Sequence, residues 1–176
     1  MRNRIHKGAT GLMGFMGFFL IYFLWTNQGS MIEFAFTKPE LWEGLEWVDQ
    51  GITVPLPTRV LWYGLWSIET LIAVTGFGLG FHLLWLYRSG SYFSSKTFHT
   101  IFRIGLVLIA LVLYSSAVRS INFSILQMYN ADFVFKFRNP LSNMTIGYFV
   151  LGCGFCLIGW VQSEALKMQD ELEGFL

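Results

Sequence analysis

The sequence predicts an all-α membrane protein with four transmembrane helices in a single domain. Of its 176 residues, 54% are hydrophobic and only 13% are charged, with a mean hydropathy of +0.51. A soluble domain of this size exposes more charge, so this composition favours a membrane protein. Four apolar runs each approach the roughly 20 residues that a helix needs to cross a bilayer. We expect helices near residues 9–27, 59–87, 99–120 and 143–164.

The four runs are nearly free of charged side chains. Arg2, Arg4 and Lys7 precede the first, as in a signal peptide, but no small-x-small cleavage site follows Trp25, so we expect this helix to be retained. The charge-free segments are Gly8–Ile32, Val60–Ile68, Thr70–Tyr87, Ile104–Val118 and Asn139–Ser163.

An even number of spans places both termini on one side, and the basic residues indicate which side. With the termini inside, seven of the 12 Lys and Arg residues are cytoplasmic, which is the direction of the positive-inside bias. We therefore expect both termini in the cytoplasm. The inner basic residues are Arg2, Arg4, Lys7, Arg88, Lys96, Arg103 and Lys167; the outer ones are Lys38, Arg59, Arg119, Lys136 and Arg138.

The two outer loops, near 28–58 and 121–142, carry strand-like alternation. It runs through "MIEFAF" and "FVFKFRN", and "PELWEGLEWVDQG" is typical of a short interfacial helix. Strands near 31–37 and 133–138 would pair in a small extracytoplasmic cap, because unpaired strand amides are not tolerated in lipid. The alternative is that these loops only form an aromatic belt at the interface.

The stretch "YRSGSYFSSKTFHTIFRIG" is expected to be the cytoplasmic turn between the second and third helices. Gly90 permits the turn, and Ser94 or Ser95 is suited to cap the third helix. After the fourth span the chain ends in a charged helix, which we name the acidic tail (residues 165–176), with Lys167 and Glu171 spaced to pair. Together these segments form a candidate partner-binding face that comprises Arg88, Lys96, Arg103, Glu164, Asp170, Glu171 and Glu173.

Three pieces of the second half resemble one bacterial family. They are "LLWLYRSGSYFSSKTFHTIFRIG", "FVFKFRNPLS" and the ending "GWVQSEALKMQDELEGFL". Together they are similar to the four-helix membrane proteins grouped as domain of unknown function 2975. The resemblance covers about half of the chain, from Leu83 to Leu176, and the first half matches only in layout. It implies the bacterial cytoplasmic membrane and, because members are often encoded beside helix-turn-helix regulators, a cytoplasmic partner of that type. It supplies no catalytic residue.

Glu69 is the most unusual residue of the predicted spans. A carboxylate at the centre of a transmembrane helix costs about 2.5 to 3.5 kcal/mol on insertion scales, so an intramembrane acid is a candidate functional residue. Ala73, Gly76 and Gly80 share its helical face, which predicts that Glu69 faces neighbouring helices. Arg119 lies in the same outer half and is its candidate partner. The pair is either a structural contact or part of a path for protons or a solute, and a protonated Glu69 bonded to a hydroxyl is a further option.

Two cysteines and three histidines raise the question of redox or metal chemistry. Cys153 and Cys156 have redox-motif spacing, but Cys156 continues a stripe of small residues with Gly152 and Gly159, which favours close helix packing. His6, His82 and His99 lie near the cytoplasmic ends of helices, where interfacial positions are commoner than haem or metal ligation.

Glycines also recur every three residues in the first helix, which favours packing or self-association: Gly8, Gly11, Gly14 and Gly17.

These features predict a non-enzymatic sensor or regulatory subunit without cofactor or metal. Its expected partners are the bilayer, a cytoplasmic regulator and a second copy of the chain. The net charge of +1 disfavours direct nucleic-acid binding. The alternative is a small carrier or channel that works through Glu69 and Arg119. A redox or haem protein is the third reading. The acidic tail is either solvated, docked onto the chain's own basic residues, or a docking surface for a cytoplasmic protein.

Overall fold

The computed structural model describes residues 2–33, 36, 54–127 and 143–174. Within them the chain forms four helices, each long and apolar enough to cross a membrane, which confirms the four predicted spans. The side on which the termini lie stays a prediction. The helices are α1 (Arg2–Ile32), α2 (Leu56–Ser89), α3 (Ser95–Gln127) and α4 (Asn143–Gly174).

The strand predicted near 31–37 is not formed in the described residues. Met31 and Ile32 are the last residues of α1, and wider helical turns follow at Glu33 and Phe36. A helix satisfies its own amides and needs no partner strand near the membrane. The ring of Phe36 reaches α2 and lies edge-on to Tyr63 at 5.5 Å. The strand predicted near 133–138 and the interfacial helix lie outside the described residues, so the cap stays a prediction.

The turn between α2 and α3 forms as the sequence predicts. Gly90 adopts the left-handed conformation, with φ of 89°, which is the backbone state that glycine accepts without strain. The amide of Ser91 donates to the carbonyl oxygen of Leu86 at 3.0 Å, closing the end of α2. Ser94 then caps α3, because its Oγ accepts from the amide of Thr97 at 3.3 Å. Two antiparallel helices are therefore joined by a short connection whose ends are both held by hydrogen bonds.

Packing in the described part of the chain is greatest between helices that are neighbours in sequence. The α3–α4 pair makes the most extensive contact, followed by α2–α3 and α1–α2. The rings of Phe23 and Phe77 pack between α1 and α2 with centroids 6.0 Å apart and planes tilted by 39°, and Gly17 lies beside Phe81. The remaining stripe glycines of α1 have open space at the Cβ position: Gly8, Gly11 and Gly14. Among the described residues, they therefore make no close helix contact.

Glycines bring α3 and α4 into backbone contact. A Cβ added to Gly105 would lie 2.6 Å from the carbonyl oxygen of Gly152 and 2.7 Å from the amide nitrogen of Cys156. A Cβ added to Gly159 would lie 2.7 Å from the amide nitrogen of Phe102. The small-residue stripe of α4 is therefore a close-packing surface, as predicted, and Gly105 is its counterpart on α3.

Candidate functional site

The row of α2 that carries Glu69 faces both neighbouring helices. A Cβ on Gly76 would contact Val107 of α3 at 3.3 Å, and one on Gly80 would meet Met16 of α1. Counting seven residues from Gly76 and from Val107, in each case away from the α2–α3 turn, places Glu69 level with Tyr114. Glu69 is half-buried, and its Oε2 is buried without a hydrogen-bond partner. An unpaired buried oxygen of this kind is a candidate for a functional group, since it costs free energy and gains no structural bond.

Arg119 does not pair with Glu69 in this arrangement. It lies five residues beyond Tyr114, about 7.5 Å further along α3 at 1.5 Å per residue, and about 140° around the helix at 100° per residue. Its side chain is exposed, and among the described residues no ion pair joins it to Glu69. Arg119 therefore lies on a different side of α3 from Tyr114. A functional role for the two residues stays a prediction.

Two other polar groups lie near Glu69 where α2 faces α3. The hydroxyl of Tyr114 donates to the carbonyl oxygen of Leu65 at 2.9 Å, and Tyr114 is close enough to Glu69 for a Coulombic interaction. Trp66, three residues before Glu69, has a buried indole Nε1 that lacks a hydrogen-bond acceptor. We name Trp66, Glu69 and Tyr114 the α2–α3 polar cluster. It holds one unused donor and one unused acceptor on the same helix within the membrane-spanning region.

A hydrogen-bond network that was not predicted from the sequence joins α1 to α2. Gln28 donates from Nε2 to the Oγ1 of Thr70 at 2.7 Å, and the hydroxyl of Tyr63 donates to Oε1 of Gln28 at 3.0 Å. Such bonds between transmembrane helices are worth about 0.6 kcal/mol on average. The signal was present: Gln28 is polar inside a charge-free run, and Tyr63 and Thr70 are seven residues apart, on one face of a helix.

The predicted cytoplasmic basic residues lie at the turn and at the start of α3. Arg88, Lys96 and Arg103 are all exposed. Within the described part of the chain the side chains of Lys96 and Arg103 make no hydrogen bond or ion pair. The acidic residues of α4 are therefore not docked onto these two side chains.

The acidic tail extends beyond the level at which α3 begins. Gly159 packs against Phe98 and Phe102, so Glu164 lies about level with Ser95, where α3 begins. The ten residues from there to Gly174 project about 15 Å further. This segment presents the exposed side chains of Asp170, Glu171 and Glu173.

Salt bridging in α4 differs from the predicted Lys167–Glu171 pair. Lys167 Nζ instead bonds Glu164 Oε1 at 2.8 Å. The physical reason is orientation, because an acid that precedes the lysine on a helix is the more favourable order. Glu171 is thereby left to solvent, while Glu173 accepts from Gln169 at 3.1 Å. The described tail carries its charge outward.

Cys156 lies between two helices, whereas His82 and His99 are exposed. Cys156 lies against Gly105, and its Sγ is 3.6 Å from the carbonyl oxygen of Phe102, which fits the packing interpretation. His82 is exposed and stacks on Trp85 at 6.0 Å, and His99 is exposed on α3. No cluster of three metal-ligating side chains occurs in the described ranges.

No protein-family model, curated protein or solved structure matches this chain. The resemblance to domain of unknown function 2975 therefore stays a prediction from the quoted segments. The conclusion that the fold supports is that the chain is a multi-pass, four-helix membrane protein.

Proposed function

We propose that this protein is a non-enzymatic sensor or regulatory subunit of the bacterial cytoplasmic membrane that binds a soluble cytoplasmic protein through its acidic tail. One observation carries this proposal: α4 continues as a helix to Gly174, about 15 Å beyond the start of α3, with exposed acids at its end. A helix used only to cross the bilayer does not need this extension. Exposed acids on a rigid helix suit a basic partner surface.

The basic partner surface is consistent with the regulator expected from the family resemblance. A helix-turn-helix protein carries basic residues for phosphate contacts. Binding of such a surface to Asp170, Glu171 and Glu173 would compete with DNA for the same charges. Regulation then takes the form of sequestration at the membrane, and a signal that moves α4 would release the partner.

The experiment that tests this proposal compares the full chain with a chain truncated after Met168. Both are purified from the native host in mild detergent, and soluble proteins that copurify are identified and then rebuilt from purified components. We expect one soluble partner to bind the full chain and to lose binding on truncation. A charge-neutral tail, with Asp170→Asn, Glu171→Gln and Glu173→Gln, separates loss of charge from loss of chain. Retention of the same partner by both altered chains would refute a role for the tail.

A second function is favoured by the buried, unbonded Oε2 of Glu69. A buried carboxylate oxygen in the membrane that accepts no hydrogen bond can take up a proton or bind a cation. In this alternative the chain is a small carrier or channel, assembled as an oligomer, because the four helices pack mainly in sequence order. Proton or cation flux into liposomes that Glu69→Gln abolishes would support it, and equal flux for the two proteins would exclude it.

A further inference from the structure

One continuous row of exposed residues runs along α3 and is basic only at its cytoplasmic end. Its apolar part is Leu106, Ala110, Leu113, Ala117 and Ile121, and its first three members are Lys96, His99 and Arg103. The spacing of three and four residues keeps all of them on one face of the helix. In a membrane this face is covered by lipid, because α2 and α4 occupy other sides of α3.

The depth of the basic residues follows from two exposed tryptophans on the flanking helices. Trp85 of α2 is 54% exposed. It lies about level with Phe98 of α3, nine residues along each helix from the contact of Gly76 with Val107. Trp160 of α4 is 58% exposed and lies about level with His99. Tryptophans of this kind occupy the headgroup region of a bilayer. Lys96 and His99 are therefore at headgroup depth, and Arg103 is about one turn deeper.

The direction of α3 lets all three side chains reach the headgroups. The Cα–Cβ bonds of a helix tilt toward its N-terminus, which for α3 is the end that carries these residues. Arg103 can thus extend toward the interface while its methylenes remain in the apolar region. Within the described residues, the side chains of Lys96, His99 and Arg103 have no hydrogen bond or ion pair. Glu164, the acid closest in level, is held by Lys167.

We propose that Lys96, His99 and Arg103 form a binding site for the phosphate headgroup of an anionic phospholipid. Arg103 and Lys96 supply charge and donors to the phosphate, and His99 lies between them along the helix. The acyl chains lie along Leu106, Ala110 and Leu113 of the same row. This continuity with a lipid-covered row favours a phospholipid over a soluble phosphate compound.

The test uses the full chain in detergent micelles, titrated with dioctanoyl phosphatidylglycerol and, separately, with dioctanoyl phosphatidylcholine. Bound lipid is counted by native mass spectrometry. Each basic residue near an anionic surface contributes about fivefold in affinity, so Lys96→Gln with Arg103→Gln is expected to weaken phosphatidylglycerol binding roughly 25-fold. Binding of phosphatidylcholine should not change. Arg119→Gln is the matched control, since it removes an exposed arginine from the other end of α3 and should leave both affinities intact.

Two further measurements separate the effect of charge from that of structure, and a phospholipid from a soluble phosphate compound. A charge-retaining variant, Lys96→Arg with Arg103→Lys, should keep phosphatidylglycerol binding within about threefold, which separates loss of charge from loss of structure. Glycerol phosphate at the same concentration should not displace the lipid. Equal affinity of the native chain for the two lipids would overturn the proposal. So would an unchanged affinity in the glutamine variant, or displacement by glycerol phosphate.

Discussion

Replacing Gly105 by alanine tests the packing that holds α3 against α4. The added Cβ would lie 2.6 Å from the carbonyl oxygen of Gly152 and 2.7 Å from both the amide nitrogen and the sulfur of Cys156. Two of these atoms are backbone, so the helices themselves must separate to make room. A separation of roughly 0.5 to 1 Å forfeits a quarter to a half of the dispersion energy of the contacts affected.

The expected destabilisation is about 1 to 3 kcal/mol, the usual cost of overpacking a well-packed site. For a chain of this length that corresponds to a fall in Tm of roughly 2 to 12 °C, measured by thermal unfolding in detergent. Gly154→Ala is the matched control, because its Cβ would have no neighbour within 4 Å. The control should be neutral or slightly more stable, since alanine is the better helix former. A Gly105→Ala protein as stable as this control would refute the close contact.

Three further predictions concern the polar residues and the topology. Glu69→Gln should leave Tm unchanged or raise it, and Arg119→Gln should leave Tm unchanged. The reason is that no ion pair joins Glu69 to Arg119 in the structure. An equal loss of stability in both variants would instead indicate such a pair. Gln28→Leu should lower stability by about 0.6 to 1.7 kcal/mol, measured by thermal unfolding, and an unchanged Tm would contradict the α1–α2 network. A cysteine introduced by Glu173→Cys should react with a membrane-impermeant maleimide only after cell lysis, and labelling of intact cells would reverse the proposed topology.

The number and approximate position of the helices follow from hydropathy alone. A charge-free run of this length has few alternatives in a membrane, because only a helix satisfies its own backbone there. The ends were less predictable. α1 continues through Met31 and Ile32, where the alternation of apolar residues had favoured a strand. Apolar–polar alternation is weak evidence for a strand where it directly follows a long helix. The helix can continue by one more turn with hydrogen bonds to its own backbone, whereas a strand needs a partner strand.

For the contact between α3 and α4, the sequence predicted the residues on α4 but not the residue on α3. The small residues around Cys156 indicated close packing, but the sequence does not specify Gly105 as the residue opposite. That choice depends on the axial register of two helices, and a shift of one turn would place other residues there. The same reason separates Glu69 from Arg119. Both lie in the half of their helices away from the α2–α3 turn, but their levels differ by about one and a half turns.

The most direct measurement for the proposed function is crosslinking from the acidic tail in living cells of the native host. A photoreactive amino acid replaces Glu171, whose side chain is exposed and is not part of the Lys167–Glu164 salt bridge. The account predicts one discrete adduct with a soluble cytoplasmic protein, and predicts its loss when Asp170 and Glu173 are made neutral. Adducts only with lipid or with this chain itself, or a protein adduct that persists in the neutral variant, would contradict it.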